Sequence, residues 1–172
     1  TLTPRPCTLY TLLEPCPGRQ RQPGSGSSSL HALPETGGVN EPLRIVSASR
    51  RTDLTAWFPE QLSGMLGAER AEVRGPFGRL TSVDLNPRRV HTLALWSKNF
   101  EPLLADRFSL RRRVEGYQNL FFLFTITGLG GGEVEPSVPP PSQALEQLRA
   151  LVSLYGPERV RLRFDPVLFY RK

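Results

Sequence analysis

Cysteine, lysine and histidine each occur only twice in these 172 residues, and no apolar run approaches the length of a membrane span. Each scarcity closes off a class of protein. Cys7 and Cys16 both lie in a weakly patterned N-terminal segment and match no zinc or cluster spacing, so a reducing, cytoplasmic setting is expected. His31 falls in the same segment and His91 near the start of a strand, so neither forms a ligand set or a dyad with a cysteine or serine, and no metal site is expected. Metal-dependent hydrolysis is held down by the same lack of a convergent histidine and carboxylate set. Without a long apolar run or a secretion-signal core, no membrane partner is expected.

The apolar content, 38%, is enough for one core. The net charge of +6 is almost all arginine, since Lys98 and Lys172 are the two lysines. A basic balance suits a polyanion, but arginine richness also follows from GC-biased codons, so a nucleic-acid-binding module is the alternative reading. Arg111, Arg112 and Arg113 are expected on a solvated helix face. Residues 1–40, with PGRQRQPGSGSSS and LPETGG, cannot bury enough surface to offset ordering, and are expected to be a flexible tail. A first residue of threonine suggests a fragment or an upstream extension.

From residue 41 onward the pattern is that of a single α/β domain. LRIVSAS reads as a strand, and Phe58, Leu62, Met65 and Leu66 as a helix with Thr55 as its cap and Pro59 in its first turn. AEVR and LTSVDL, around the GPFG turn, read as a short hairpin or an irregular excursion, and VHTLALW is a second apolar strand. One helix is expected through Leu103, Leu104, Phe108, Leu110 and Val114 to Gly116. NLFFLFTIT, apolar on both faces, is a strand covered on both sides. After a loop, Ala144, Leu148, Leu151, Val152 and Tyr155 share a helix face, with Ser142 as cap and Gly156 with Pro157 as stop. RVRLRFDPVLF closes the series as a fourth strand, and the alternation implies a parallel sheet with right-handed crossovers.

Each strand runs into a polar cluster: SASRRTD, WSKN, TITG and RFDP. In a parallel α/β sheet or barrel these ends converge on one rim, where such folds place ligands. Arg50 and Arg51 could clamp a carboxylate or phosphate, and Asp53 is either their ion-pair partner, a helix cap or a ligand-binding group. Lys98, the one lysine inside the fold, and Asp165 are the candidates for proton transfer, while Asn99 orients a ligand. Alternation puts Arg161, Arg163 and Asp165 on one face of the fourth strand and Leu162 and Phe164 on the other, packed against helices in a barrel. An edge strand with a wet face is the competing arrangement. Glu133 and Glu135, in a glycine loop that does not fit G-x-G-x-x-G, are possible acid, base or ligand groups, or simply solvated.

SASRRTD, RGPF, LNP before a strand ending in WSKN, FTITG with EPSVPP behind it, and GPERVRLRFDPVL together resemble the bacterial family called domain of unknown function 1848, from about Ile45 to Leu168. The resemblance implies a partial TIM-like barrel of parallel βα repeats, preceded by the disordered tail. It also implies a C-terminal CxxxCxxC motif, hence an iron–sulfur centre and radical S-adenosylmethionine chemistry in full-length relatives, with Gly131, Gly132 and Glu133 as a GGE element. The cysteines of that motif have no counterpart here. Residues 41–172 are therefore expected to be the N-terminal part of a larger barrel, catalytically incomplete, with a small anionic ligand at the rim. A covering segment or partner chain is expected at the sheet edge.

Overall fold

A computed structural model describes residues 44–49, 52–74 and 80–165. The tail, both cysteines, His31, Arg50, Arg51, the GPFG turn and the chain beyond Asp165 lie outside the described residues.

Strand β1 (Arg44–Ala48) delivers the chain to Ser49, whose φ of 77° is unusual for a residue with a side chain. The next helix is capped by Asp53 and not by Thr55: α1 (Leu54–Trp57) receives the Asp53 carboxylate on Ala56 N at 3.0 Å, and Thr55 is buried. Pro59 disfavours a helical conformation at Phe58, which sits at φ −137°, so a second helix, α2 (Pro59–Gly67), starts with Pro59 in its first turn. Its buried residues are Leu62, Ser63 and Leu66. The expected hairpin follows as β2 (Arg70–Arg74) and β3 (Leu80–Asp84), antiparallel with Arg70 opposite Asp84.

Strand β4 (Val90–Ser97) pairs with β1 in parallel, Val46 beside Leu93. The single helix expected next is broken into α3 (Glu101–Leu104), a 3-10 turn over Arg107–Ser109, and α4 (Leu110–Val114). Asp106, Phe108 and Ser109 adopt left-handed φ of 53°, 56° and 58°. Long-range contacts hold the break: Ser63 Oγ donates to the Phe108 carbonyl at 2.7 Å, and Asp106 Oδ1 accepts from Arg112 N at 3.3 Å. Phe108 is consequently exposed instead of lying on a buried helix face. Arg112 is solvated as expected and pairs with Asp106 at 3.1 Å, while Arg111 lies 4.0 Å from Glu115, so the basic run is locally balanced.

Strand β5 (Leu120–Ile126) adds to β4, and α5 (Pro141–Tyr155) crosses over to β6 (Val160–Phe164). The α5 cap position is Pro140, without a side-chain bond, and not Ser142; Pro141 takes the first helical position and Gly156, at φ 87°, ends the helix as expected.

All four sheet strands are parallel, in the order β1-β4-β5-β6. Each newly added strand lies beside the preceding strand of the sheet, as in a barrel, but among the described residues the sheet is open, with β1 and β6 as its edges. Register and alternation put Val46, Leu93, Leu95, Phe122 and Phe124 on one face, packed against the helices in one core with Leu103, Leu110 and Leu151. Phe100 meets Phe122 and Phe124 edge-on at 5.8 and 5.2 Å, and Tyr155 of α5 lies 4.6 Å from Phe122. On the apolar side of β6 Val160 is buried in the core, but Leu162 and Phe164 beyond it are 52% and 62% exposed. The wet-edge arrangement describes β6.

Tyr117 closes the bottom of the core by donating its hydroxyl to the Leu85 carbonyl at 2.5 Å. Burial, with the Glu69 and Asp84 charges nearby, pushes its phenol up to about 12. The fold therefore loses the Tyr117 contribution as pH rises from the ordinary range near 10 through that value. Tyr117→Phe leaves a buried carbonyl unpaired and is expected to cost about 1–2 kcal/mol in urea denaturation at neutral pH. The variant should also lose part of the alkaline decline.

Candidate functional site

The C-terminal ends of the four sheet strands meet around a cleft of about 390 Å³. Ser49 follows β1; Ser97, Lys98 and Asn99 close β4; Thr125 comes from β5 and Arg163 from β6. The rim expected from the four polar clusters is thus assembled in one place, although Arg50 and Arg51 lie outside the described residues.

Asp53 is the tie between the first two strand ends. Besides capping α1, it accepts from Lys98 N at 2.8 Å, and Ser97 Oγ sits 2.8 and 2.9 Å from its two oxygens. Ser49 Oγ accepts from Leu54 N at 3.1 Å, so the start of α1 is held by side chains from both sides of the arginine pair. Burial raises the Asp53 carboxyl above its ordinary value, against the opposing pull of these donors. Of the roles expected for Asp53, the helix cap is the one its contacts display.

Asn99 is likewise bound into the frame. Its Oδ1 accepts from Glu101 N at 3.0 Å and from Gln147 Nε2 at 2.9 Å, and Gln147 Oε1 accepts from Phe100 N at 2.8 Å, joining the start of α3 to α5.

Lys98 points its ammonium at Glu135, which reaches in from the loop between β5 and α5 and also takes the Thr127 hydroxyl. Their side chains are 36% and 17% exposed. Burial pushes the Glu135 carboxyl up, but the Lys98 and Thr127 hydrogen bonds and the Lys98 charge outweigh it and hold the group below its ordinary value. The same loop folds tightly around Glu135, whose carbonyl accepts from Gly131 N at 3.0 Å and Val138 N at 3.2 Å. A side chain at Gly130 would meet the Pro139 carbonyl at 2.0 Å, so only glycine fits there. Ser137 and Val138 of this loop line the cleft, whereas Glu133 is exposed.

Arg163 reaches the cleft and pairs with Asp165 at 3.3 Å, both about half exposed. The expected shared face of these two residues is therefore seen, but Asp165 is a partner of Arg163 and does not itself line the cleft. His91, at the far end of β4, bonds Thr92 Oγ1 at 2.8 Å and stands away from the rim.

Among the lining residues that were not sequence candidates are Trp57 and Trp96. They are the only tryptophans in the chain. The signal was available in that count, since Trp57 lies four residues beyond Asp53 and Trp96 opens WSKN.

A protein-family model described as domain of unknown function (DUF1848) matches residues 45–172. The chain belongs to this family. The match begins inside β1 and takes in every strand-end cluster of the DUF1848 domain. No curated protein and no solved structure matches the chain.

The iron–sulfur expectation can be tested on the donor set. Residues 44–165 contain no cysteine, and Cys7 and Cys16 both precede the matched range and lie outside the described residues. Among the described residues, no three or more His, Cys, Asp or Glu side chains converge to hold a metal ion. The described residues alone do not supply the thiolates that a cluster needs. No helix among the described residues is long and apolar enough to cross a membrane.

Proposed function

We propose that this DUF1848 chain forms part of a TIM-like barrel scaffold whose strand-end cleft binds a small anionic ligand. One observation carries the reading: the C-terminal ends of all four parallel strands lead into a single cleft, and two of its lining residues, Lys98 and Arg163, are cationic. The sequential strand order is the order in which a barrel grows, and the open edge at β6 is where a covering segment or partner chain would continue it. Arg163 and Lys98 serve as the anion's partners, each held in place by a carboxylate that leaves further N–H donors free. Lys98 is the group placed to exchange a proton with a bound ligand, while Asp53 and Asn99 hold the frame.

Because both tryptophans line the cleft, intrinsic fluorescence reports on it directly. Titrating inorganic phosphate should give a saturable fluorescence change at millimolar concentration, and the same curve for Arg112→Ala, which alters the basic run away from the cleft. A flat titration with phosphate, sulfate and small carboxylates alike would remove the proposal.

A further inference from the structure

We propose that the ligand of this cleft is an aromatic or heteroaromatic anion, a refinement that rests on the anion-site reading above. Three phenylalanines and the two tryptophans occupy opposite sides of the sheet's packing: core and cleft. Phe100, Phe122 and Phe124 are fully buried on the helix side of the sheet, with Phe100 edge-on to each of the other two. Both tryptophans instead go to the cleft, and Trp57, the last residue of α1, is 54% exposed. No core ring stacks on either of them among the described contacts. An indole is the largest flat apolar surface a protein can offer, and offset or edge-on contact with another ring adds to plain burial.

The placement of charge relative to the rings completes the recognition. Trp96 and Lys98 are two residues apart along the same strand end, about 7 Å at the extended rise. In parallel register Trp96 is beside Leu123, and Arg163 is beside Thr125 one layer further towards the rim. Lys98 and Arg163 therefore stand one layer above Trp96, towards the cleft mouth, where exposed Trp57 of α1 also lines the cleft. A ligand that fits has a ring low in the cleft and an anionic group one or two bonds beyond it, and about 390 Å³ accommodates a molecule of that size. A cationic ligand, which would also favour indole faces, is opposed by Lys98 and Arg163.

The test compares three probes on the unaltered chain by calorimetry: phenyl phosphate, inorganic phosphate and benzyl alcohol. Phenyl phosphate is expected to bind about tenfold tighter than inorganic phosphate, with benzyl alcohol weaker than either. Trp57→Leu keeps an apolar side chain at an exposed position and should shrink the phenyl phosphate advantage to roughly twofold. Equal affinity for the two phosphates would overturn the aromatic inference while leaving the anion site standing. Binding of benzyl alcohol as tight as that of phenyl phosphate would overturn it as well. No binding of either phosphate would overturn the anion reading itself, and this inference with it.

Discussion

Asp53→Ala is expected to destabilise the fold by about 3 kcal/mol, read as a lower urea midpoint at unchanged slope. The substitution removes the α1 cap and the acceptor for Lys98 N and Ser97 Oγ at once, so the ends of β1 and β4 lose their common partner. Asp53→Asn keeps one acceptor oxygen and sheds a desolvated charge, and should cost about 1 kcal/mol. The pH dependence separates the two effects. Because burial raises the Asp53 carboxyl, the folded state holds that proton more tightly than the unfolded chain does. The resulting stability is fully present below the ordinary value of 3.8 and is lost as pH rises through the raised folded value. Both variants should lack this slope. If Asp53→Ala unfolds at the unaltered midpoint, the strand-end tie is not structural.

Lys98→Ala should weaken phosphate binding by about 10- to 100-fold, the range expected for one charge-assisted hydrogen bond. It also strands the Glu135 carboxylate among Thr127 and the loop backbone, so some stability is lost with the affinity. Glu135→Gln discriminates between two roles for that carboxylate. If Glu135 competes with the ligand for the Lys98 ammonium, its neutralisation tightens phosphate severalfold. A weaker phosphate affinity in Glu135→Gln would mean that the carboxylate serves to aim Lys98. In either case Glu135, held below its ordinary value, contributes stability above the usual glutamate range near 4.5 that is lost as pH falls through the folded value. Glu135→Gln should flatten that acidic decline.

The parallel strands were legible because Phe121 to Phe124 and Leu93 to Leu95 are apolar on both faces, and because turn residues punctuate each segment. Lys98 stood out as the one lysine within an arginine-rich fold. The break between α3 and α4 was not legible: the left-handed backbone around Phe108 is held by Ser63, 45 positions away, which a helical repeat does not reveal. The exposure of Leu162 and Phe164 also escaped the alternation rule, because that rule assigns faces and says nothing of what covers them. Glu135 was a candidate only as a charged loop residue; its meeting with Lys98, 37 positions away, depends on how the glycine loop closes.

Because each strand joins the edge left by its predecessor in the sheet, the sheet can grow in one direction as the chain is synthesised. β1 must wait for β4, and the β2 and β3 hairpin can form from local contacts in the interval. Among the described strands β6 joins last and is paired along one side, so its amides should exchange with solvent sooner than those of β4 and β5, which are flanked on both sides. That strand also brings Arg163 to the cleft. Opening of β6 therefore disassembles the binding surface before the rest of the sheet yields, and an occupied cleft should slow the exchange of β6 amides by mass action.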